Sequence, residues 1–368
     1  MAIAFVRSPF YVYEKYSAGG AAYGIMTITV DGNVEYTLRK DVVATYVSFE
    51  IAELLRDFIN PIYNSPSQSF LSSQSKIYGT SVQFYNASNT AIGIPQTTSG
   101  WAVSGYGYYE EGYNPTTAQG YMQSNNTIYR LADADVRIPV NRQNTSNVTF
   151  LYQGNIVYNK PIVVSGYFFE YASNNFSAVD GFKDRVVQAF ATYEPNECIE
   201  SFLDTYEIFP VDEVHISSDY GLEIVKIKTL DECRYKPVKL SFINKFGALQ
   251  DLWFFRKSIK QLSVTKEEYK RGNPSYYGIY NPGEPQRAIF NKQGAEKITI
   301  NTGYVDESYN EPMKELMLSE HVWMEQDTVL TPMVIETSSL TYKTSANDKL
   351  VDYTLDLAFA FNAIQNMR

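Results

Sequence analysis

The side chains best suited to chemistry are few and poorly spaced for it. Two histidines, His215 and His321, serve 368 residues. Neither belongs to an H-E-x-x-H or H-x-H pair, the spacing that brings two imidazoles to one zinc ion. A Ser-His-Asp triad would need one of the two, and the sequence has no G-x-S-x-G elbow. Both are therefore expected to be structural or surface residues. The run GYGYYEEG, residues 105–112, has glycines at the wrong spacing for a dinucleotide loop and no helix after it. It reads as a turn-rich β segment, and there is no P-loop.

Carboxylates beside aromatic rings are the second chemical theme. Glu110 and Glu111 lie near Trp101, Tyr106, Tyr108 and Tyr109, the residue types of a glycosidase pair or a sugar platform. Adjacent residues on a strand point to opposite faces, so these two carboxylates are not expected to flank one bond. A second, distant carboxylate would be required, and the sequence does not nominate it. Asp133 and Asp135 share one strand face in LADADVR, but a Ca²⁺ ion takes six or more oxygens, so a charged sheet edge is the expectation. No catalytic, cofactor-binding or metal-ligating residue is assigned. The candidate contact surface is Trp101, Tyr106, Tyr108, Tyr109 and Tyr113, in a Tyr/Asn/Ser-rich region suited to a protein or a glycan partner.

Cys198 and Cys233 are too few for a secreted disulfide scaffold. One bridge or two buried thiols would both fit, and the thiols suit a chain assembled in cytoplasm. The start, MAIAFVRSPFYVYEKYSAGG, lacks a basic n-region, so no secretion leader is expected. No stretch approaches the length of a membrane-spanning helix. In such a chain the sequons at Asn86 and Asn147 are read as accidental. The net charge of −10 and a pI near 4.9 repel phosphate backbones and anionic membranes alike.

The elements that would position these residues are mostly strands. Thirty-one tyrosines and a 15% aromatic share favour β structure with extensive contact surface. GIMTITV and VEYTLRK flank the tight-turn signal DGN at 31–33. Ser48 followed by Phe49, Ile51, Leu54, Leu55 and Phe58, with Pro61 as stop, predicts a helix. A middle region, 62–182, alternates short apolar runs with polar loops, a β-sandwich or barrel pattern. Further strands fill 183–368, with a short helix over NEPMKELML. The domains read as 1–61 (hairpin plus helix, part of the core), 62–182 (sandwich-like middle domain or insertion) and 183–368 (β-rich completion of the core). Near the end, LVDYTLDLAFAFN alternates strictly, but Ala358 and Ala360 replace polar residues on its outer face. A neighbouring chain or one of the two helices is expected to cover them. The fold class is mostly β, with two short helices packed on the sheets.

The run INKFGALQDLWFFRKSIKQLSVTKEEYKR, then KELMLSEHVWM and TPMVIETSSLTYKTSANDKLVDYTLDLAFAFN, resembles tail or baseplate proteins of tailed bacteriophages, of the Bacteroidetes and marine-host type. RSPFYVYEK, SFEIAELLRDFI and GYGYYEEGYN fit the same pattern. The resemblance implies a structural virion protein, a distal-tail or baseplate hub ring subunit with a tail-tube-like β-barrel or sandwich domain. Its partners would be copies of itself in a ring and other tail or baseplate proteins. It would be assembled in host cytoplasm and have no catalytic residue. A receptor- or glycan-binding tail module is the alternative.

Overall fold

A computed structural model describes residues 2–63, 73–112, 119–132, 134–164, 166–174, 210–231, 234–272, 278, 283, 285–326, 329–340 and 350–363. The chain is mostly β with two short helices, and its sheets are open rather than closed into a barrel among the described residues. It divides into two compact units. The first holds residues 1–231, 241–252 and 308–321, and the second holds 232–240, 253–307 and 322–368.

The first unit begins with a five-stranded sheet in the order β1-β7-β6-β3-β4, formed by β1 (Ala2–Phe5), β3 (Tyr23–Val30), β4 (Asn33–Asp41), β6 (Ser75–Tyr85) and β7 (Ala91–Val103). The β3–β4 hairpin turns on Asp31 and Gly32, both at positive φ (48° and 87°), as the DGN signal requires. Alternation puts Met26, Ile28 and Val30 of β3 on the buried face. Each such side chain contributes roughly 2 kcal/mol by leaving water. A ribbon of β2 (Tyr11–Lys15) and β5 (Tyr46–Glu50) supplies Val12, Val47 and Phe49 to the same core, with Ile51 and Leu55 beside them. The expected helix from Ser48 is thus corrected: residues 46–50 are strand, and helix α1 spans only Ala52–Arg56. Val47 and Phe49 bury one face of a strand paired to β2, and that pairing overrides the helical spacing. No break follows residue 61 either, because β6 and β7 complete the N-terminal sheet.

A second sheet of this unit runs β11-β10-β13-β14-β8, from β8 (Thr127–Leu131), β10 (Thr145–Tyr152), β11 (Asn155–Pro161), β13 (Glu213–Ser218) and β14 (Gly221–Leu230). A two-stranded ribbon, β9 (Arg137–Asn141) with β12 (Phe169–Ser173), packs on it sandwich-fashion through Ile138, Val140, Val148, Phe150, Val214 and Ile216.

The remaining long sheet runs β16-β15-β20-β21-β23-β18-β17. Its strands are β15 (Val238–Ile243), β16 (Leu249–Phe254), β17 (Ile259–Lys270), β18 (Arg287–Asn301), β20 (Val322–Gln326), β21 (Val329–Ile335) and β23 (Thr354–Asn362). A short pair, β19 (Val305–Asp306) with β22 (Leu350–Val351), accompanies it. Helix α2, Asn310–Leu318, has Pro312 in its first turn and buries Met313 and Leu316.

Strand β23 resolves the alternation seen in the sequence. Leu355 and Leu357 are buried, and Ala358 pairs with Lys297 on one side and Val334 on the other. Lys297 and Glu336 flank β23 and join at 2.7 Å, so their ion pair crosses over it beside Ala358. A larger side chain there would block the crossing. Ala360 is exposed, as is Phe361 at 59%. Within the chain, a lysine–glutamate bridge from adjacent strands rather than the expected helix lies beside Ala358.

Candidate functional site

The first unit contains an open cleft of about 650 Å³, whose walls come from segments far apart in sequence. One wall follows β7. Gly105 lies so close to its surroundings that an added Cβ would sit 2.1 Å from the Phe5 ring and 2.6 Å from the Lys245 carbonyl oxygen. That closeness lets the Tyr106 N–H donate to the Lys245 carbonyl at 2.8 Å. It also delivers Tyr108 to the start of a 3₁₀ turn, Tyr109–Glu111. The Glu111 carboxylate accepts the Tyr108 N–H at 2.9 Å and the Lys245 ammonium at 2.8 Å. Burial pushes the Glu111 carboxyl upward, but the Lys245 and Tyr108 donors outweigh it and leave it below its ordinary value.

The opposite wall is α2 and the turn between β15 and β16. The Asn244 side-chain oxygen accepts the N–H groups of Phe246 and Ala248, fixing the turn that presents Lys245. Its amide nitrogen donates to the Met122 carbonyl at 2.8 Å, and Gln250 continues the buried amide chain to Asn125. Lys314 on α2 places its ammonium 3.4 Å from the centre of the Tyr108 ring, and Lys245 stands 5.1 Å from the same centre. Glu311 precedes Lys314 by three residues, at 3.8 Å.

Glu223 closes the floor by accepting the N–H groups of Gly120 and Tyr121, each at 2.9 Å. The Tyr121 hydroxyl donates to the Gln123 side-chain oxygen at 2.7 Å. Behind the lining sits Glu315, completely buried, accepting from the Ser124 hydroxyl and the Lys245 N–H. Burial raises its carboxyl to about 7, despite the Ser124 and Lys245 donors, and Glu311 adds to the rise. Because Glu315 is sealed off, it holds two segments together and does not reach a molecule in the cleft. Burial likewise pushes the Tyr106, Tyr108 and Tyr121 hydroxyls upward, with Glu315 contributing to each.

The expected contact surface divides sharply. Trp101 is 4% exposed, with its ring 5.9 Å from that of Phe168, and Tyr106 is also buried, under the Arg7 guanidinium at 4.7 Å. Both are corrected from surface to interior: Trp101 belongs to Gly100–Val103, which lies between β1 and β6 and is buried on both faces, and Tyr106 is held against the Lys245 turn and covered by Arg7. Tyr108 lines the cleft, Tyr109 is 91% exposed, and Tyr113 lies outside the described residues. Glu110 and Glu111 both line the cleft, because a 3₁₀ turn rather than a strand carries them.

His215 is paired with Glu213 at 3.3 Å on β13, and His321 is partly buried, its ring pulled below its ordinary value chiefly by burial. Asp133, Cys198 and Cys233 lie outside the described residues. Asn86 caps its own turn, accepting from the N–H groups of Ser88 and Thr90. Among the described residues no group of three or more His, Cys, Asp or Glu could hold a metal, and no helix is long and apolar enough to cross a membrane.

Sequence reasoning missed Lys245, Glu223, Glu311, Lys314 and Glu315. One signal was present for Glu315: it shares the buried helix face with Pro312, Met313 and Leu316, an unusual place for a carboxylate. No protein-family model matches this chain, and no curated protein matches its sequence.

Proposed function

We propose that this chain is a structural, non-enzymatic component of a bacteriophage tail: a distal-tail or baseplate hub ring subunit that joins copies of itself and neighbouring tail proteins. The bacteriophage assignment rests on the sequence resemblance. The assembly role is carried by one observation, the β17–β18 ribbon. All twelve residues of β17 are exposed, and β17 is the edge of its sheet. The support of β23 ends at Gly294, which accepts the Ala363 N–H. Beyond it, among the described residues, Thr265–Lys270 and Arg287–Gln293 pair only with each other, a two-stranded arm about 20 Å long.

Such a ribbon is marginal alone in water. It nevertheless exposes Leu262, Val264, Tyr269, Ile289 and Phe290, the last at 63%. Its charges are partly answered within the ribbon: Lys266, opposite Lys292, pairs with Glu268, and the same carboxylate attracts Arg287, opposite Lys270. Residues 257–297 carry eight Lys or Arg and four Asp or Glu, a net +4 in a chain of net −10. A second copy supplies the complementary acidic surface, through a heterologous contact that closes into a ring. The acidic remainder suits a particle through which DNA passes without adhering.

Electron microscopy and light scattering of the purified chain test this. Rings or discrete oligomers are expected, and replacing residues 265–293 by a two-residue turn should return a folded monomer. A full chain that stays monomeric and is absent from virions overturns the reading. So does an arm that binds duplex DNA in preference to protein.

A further inference from the structure

One face of the β17–β18 arm extends the core face of its own sheet. Lys260 stands opposite the buried Ile298, and alternation puts Leu262, Val264 and Lys266 on the same face. Leu262 and Val264 are 56% and 54% exposed, so the apolar strip outruns its cover. Gly294, opposite Val264, adds no side chain to that face. Lys266 and Lys292 then stand opposite each other at the end of the strip, with Glu268 engaging Lys266. The arm stays cationic all the same: residues 265–271 and 287–293 carry five Lys or Arg against two Glu.

A cover for this face must be apolar and acidic at once, and residues 194–209 are both. They hold five carboxylates, among them Glu200 and Asp204, interleaved with Ile199, Phe202, Leu203 and Tyr206. No Lys or Arg occurs between Arg185 and Lys226. The stretch lies outside the described residues, between Asn174 and Pro210. The chain is anchored where it resumes: Val211 is 2% exposed, and the Asp212 N–H donates to the Leu151 carbonyl at 3.0 Å. The stretch therefore issues from the first unit, whereas the arm belongs to the second. We propose that residues 194–209 of one copy dock on the arm of the next, apolar side chains on Leu262 and Val264, carboxylates on Lys266 and Lys292. The proposal rests on the assembly reading and names the surface that the arm meets. Such a contact is heterologous, leaving every copy an arm and a stretch for further neighbours.

Charge exchange in the full chain tests it. Glu200→Lys with Asp204→Lys makes one variant, and Lys266→Glu with Lys292→Glu the other. Each alone should self-associate at least about tenfold more weakly than the parent in sedimentation equilibrium, since like charges then meet. An equimolar mixture should recover oligomers, because each altered surface then finds its opposite on the other variant. Recovery only when all the substitutions share one chain would place the contact within a chain and overturn the proposal. If the Glu200/Asp204 variant associates like the parent while the arm variant does not, the proposal falls and the assembly reading stands. A parent that stays monomeric overturns both. Should the Glu200/Asp204 variant not fold, carbodiimide cross-linking of the parent mixed with an isotope-labelled copy decides. Links between labels from 194–209 to Lys266 or Lys292 are expected, and cross-linked oligomers without them overturn the contact.

Discussion

The cleft of the first unit and the β17–β18 ribbon of the second handle polar groups in opposite ways. In the cleft, side chains from five separated stretches converge: Tyr108 to Glu111, Gln119 to Asn126, Glu223, Lys245, and Glu311 to Glu315. Several are engaged within the chain, Glu111 with Lys245 and Glu223 with two backbone N–H groups. The ribbon is local in sequence and, among the described residues, its strands pair with each other alone beyond Gly294. The charges of the cleft are largely engaged within the first unit, whereas the ribbon leaves apolar side chains such as Val264 and Phe290 exposed. The cleft should therefore carry stability and the ribbon should carry association.

The sharpest break between the two is expected at Trp101. Its ring is buried against Phe168, so Trp101→Ala should lower unfolding free energy by about 3–5 kcal/mol in denaturant titration. A loss below about 1 kcal/mol would return Trp101 to the contact surface. Glu315 comes next. Its folded-state carboxyl titrates near 7, raised from the ordinary 4.5, so the folded state keeps a proton that the unfolded chain releases. That contribution is fully present below pH 4.5 and fades as pH rises to about 7, a loss on the order of 3 kcal/mol. Glu315→Gln should flatten stability against pH across that window, and parallel curves for parent and variant would refute the assignment.

Gly105→Ala should cost roughly 1–3 kcal/mol by driving a methyl group into Phe5 and the Lys245 carbonyl, measured as a fall in Tm. A neutral result would mean the cleft wall is not held by that close approach. At the small end, Phe290→Ala on the ribbon should change monomer stability by less than about 0.5 kcal/mol while weakening self-association. A large loss of stability there would erase the contrast between the two regions.

Much of this was legible in the residues. The DGN hairpin, the alternation of β23, the strand-rich middle region and the helix at NEPMKELML all follow from short-range periodicity and turn chemistry. The helix expected from Ser48 formed only over Ala52–Arg56, since Val47 and Phe49 fit a strand alternation and β2 lies ready to pair. Glu110 and Glu111 looked incapable of sharing a site while taken as strand, and a three-residue turn brought both to one cleft.

Local pattern by itself determined that this chain is built of amphipathic strands, that its histidines lack catalytic spacing, and that residues 257–297 are basic within an acidic whole. Tertiary structure alone decided which tyrosines are buried, what crosses Ala358, and which lysine meets which glutamate. The physical reason is range: pleat and turn preferences act over a few residues, whereas Lys245 with Glu111, or Ser124 with Glu315, meet across 134 and 191 residues that only folding brings together.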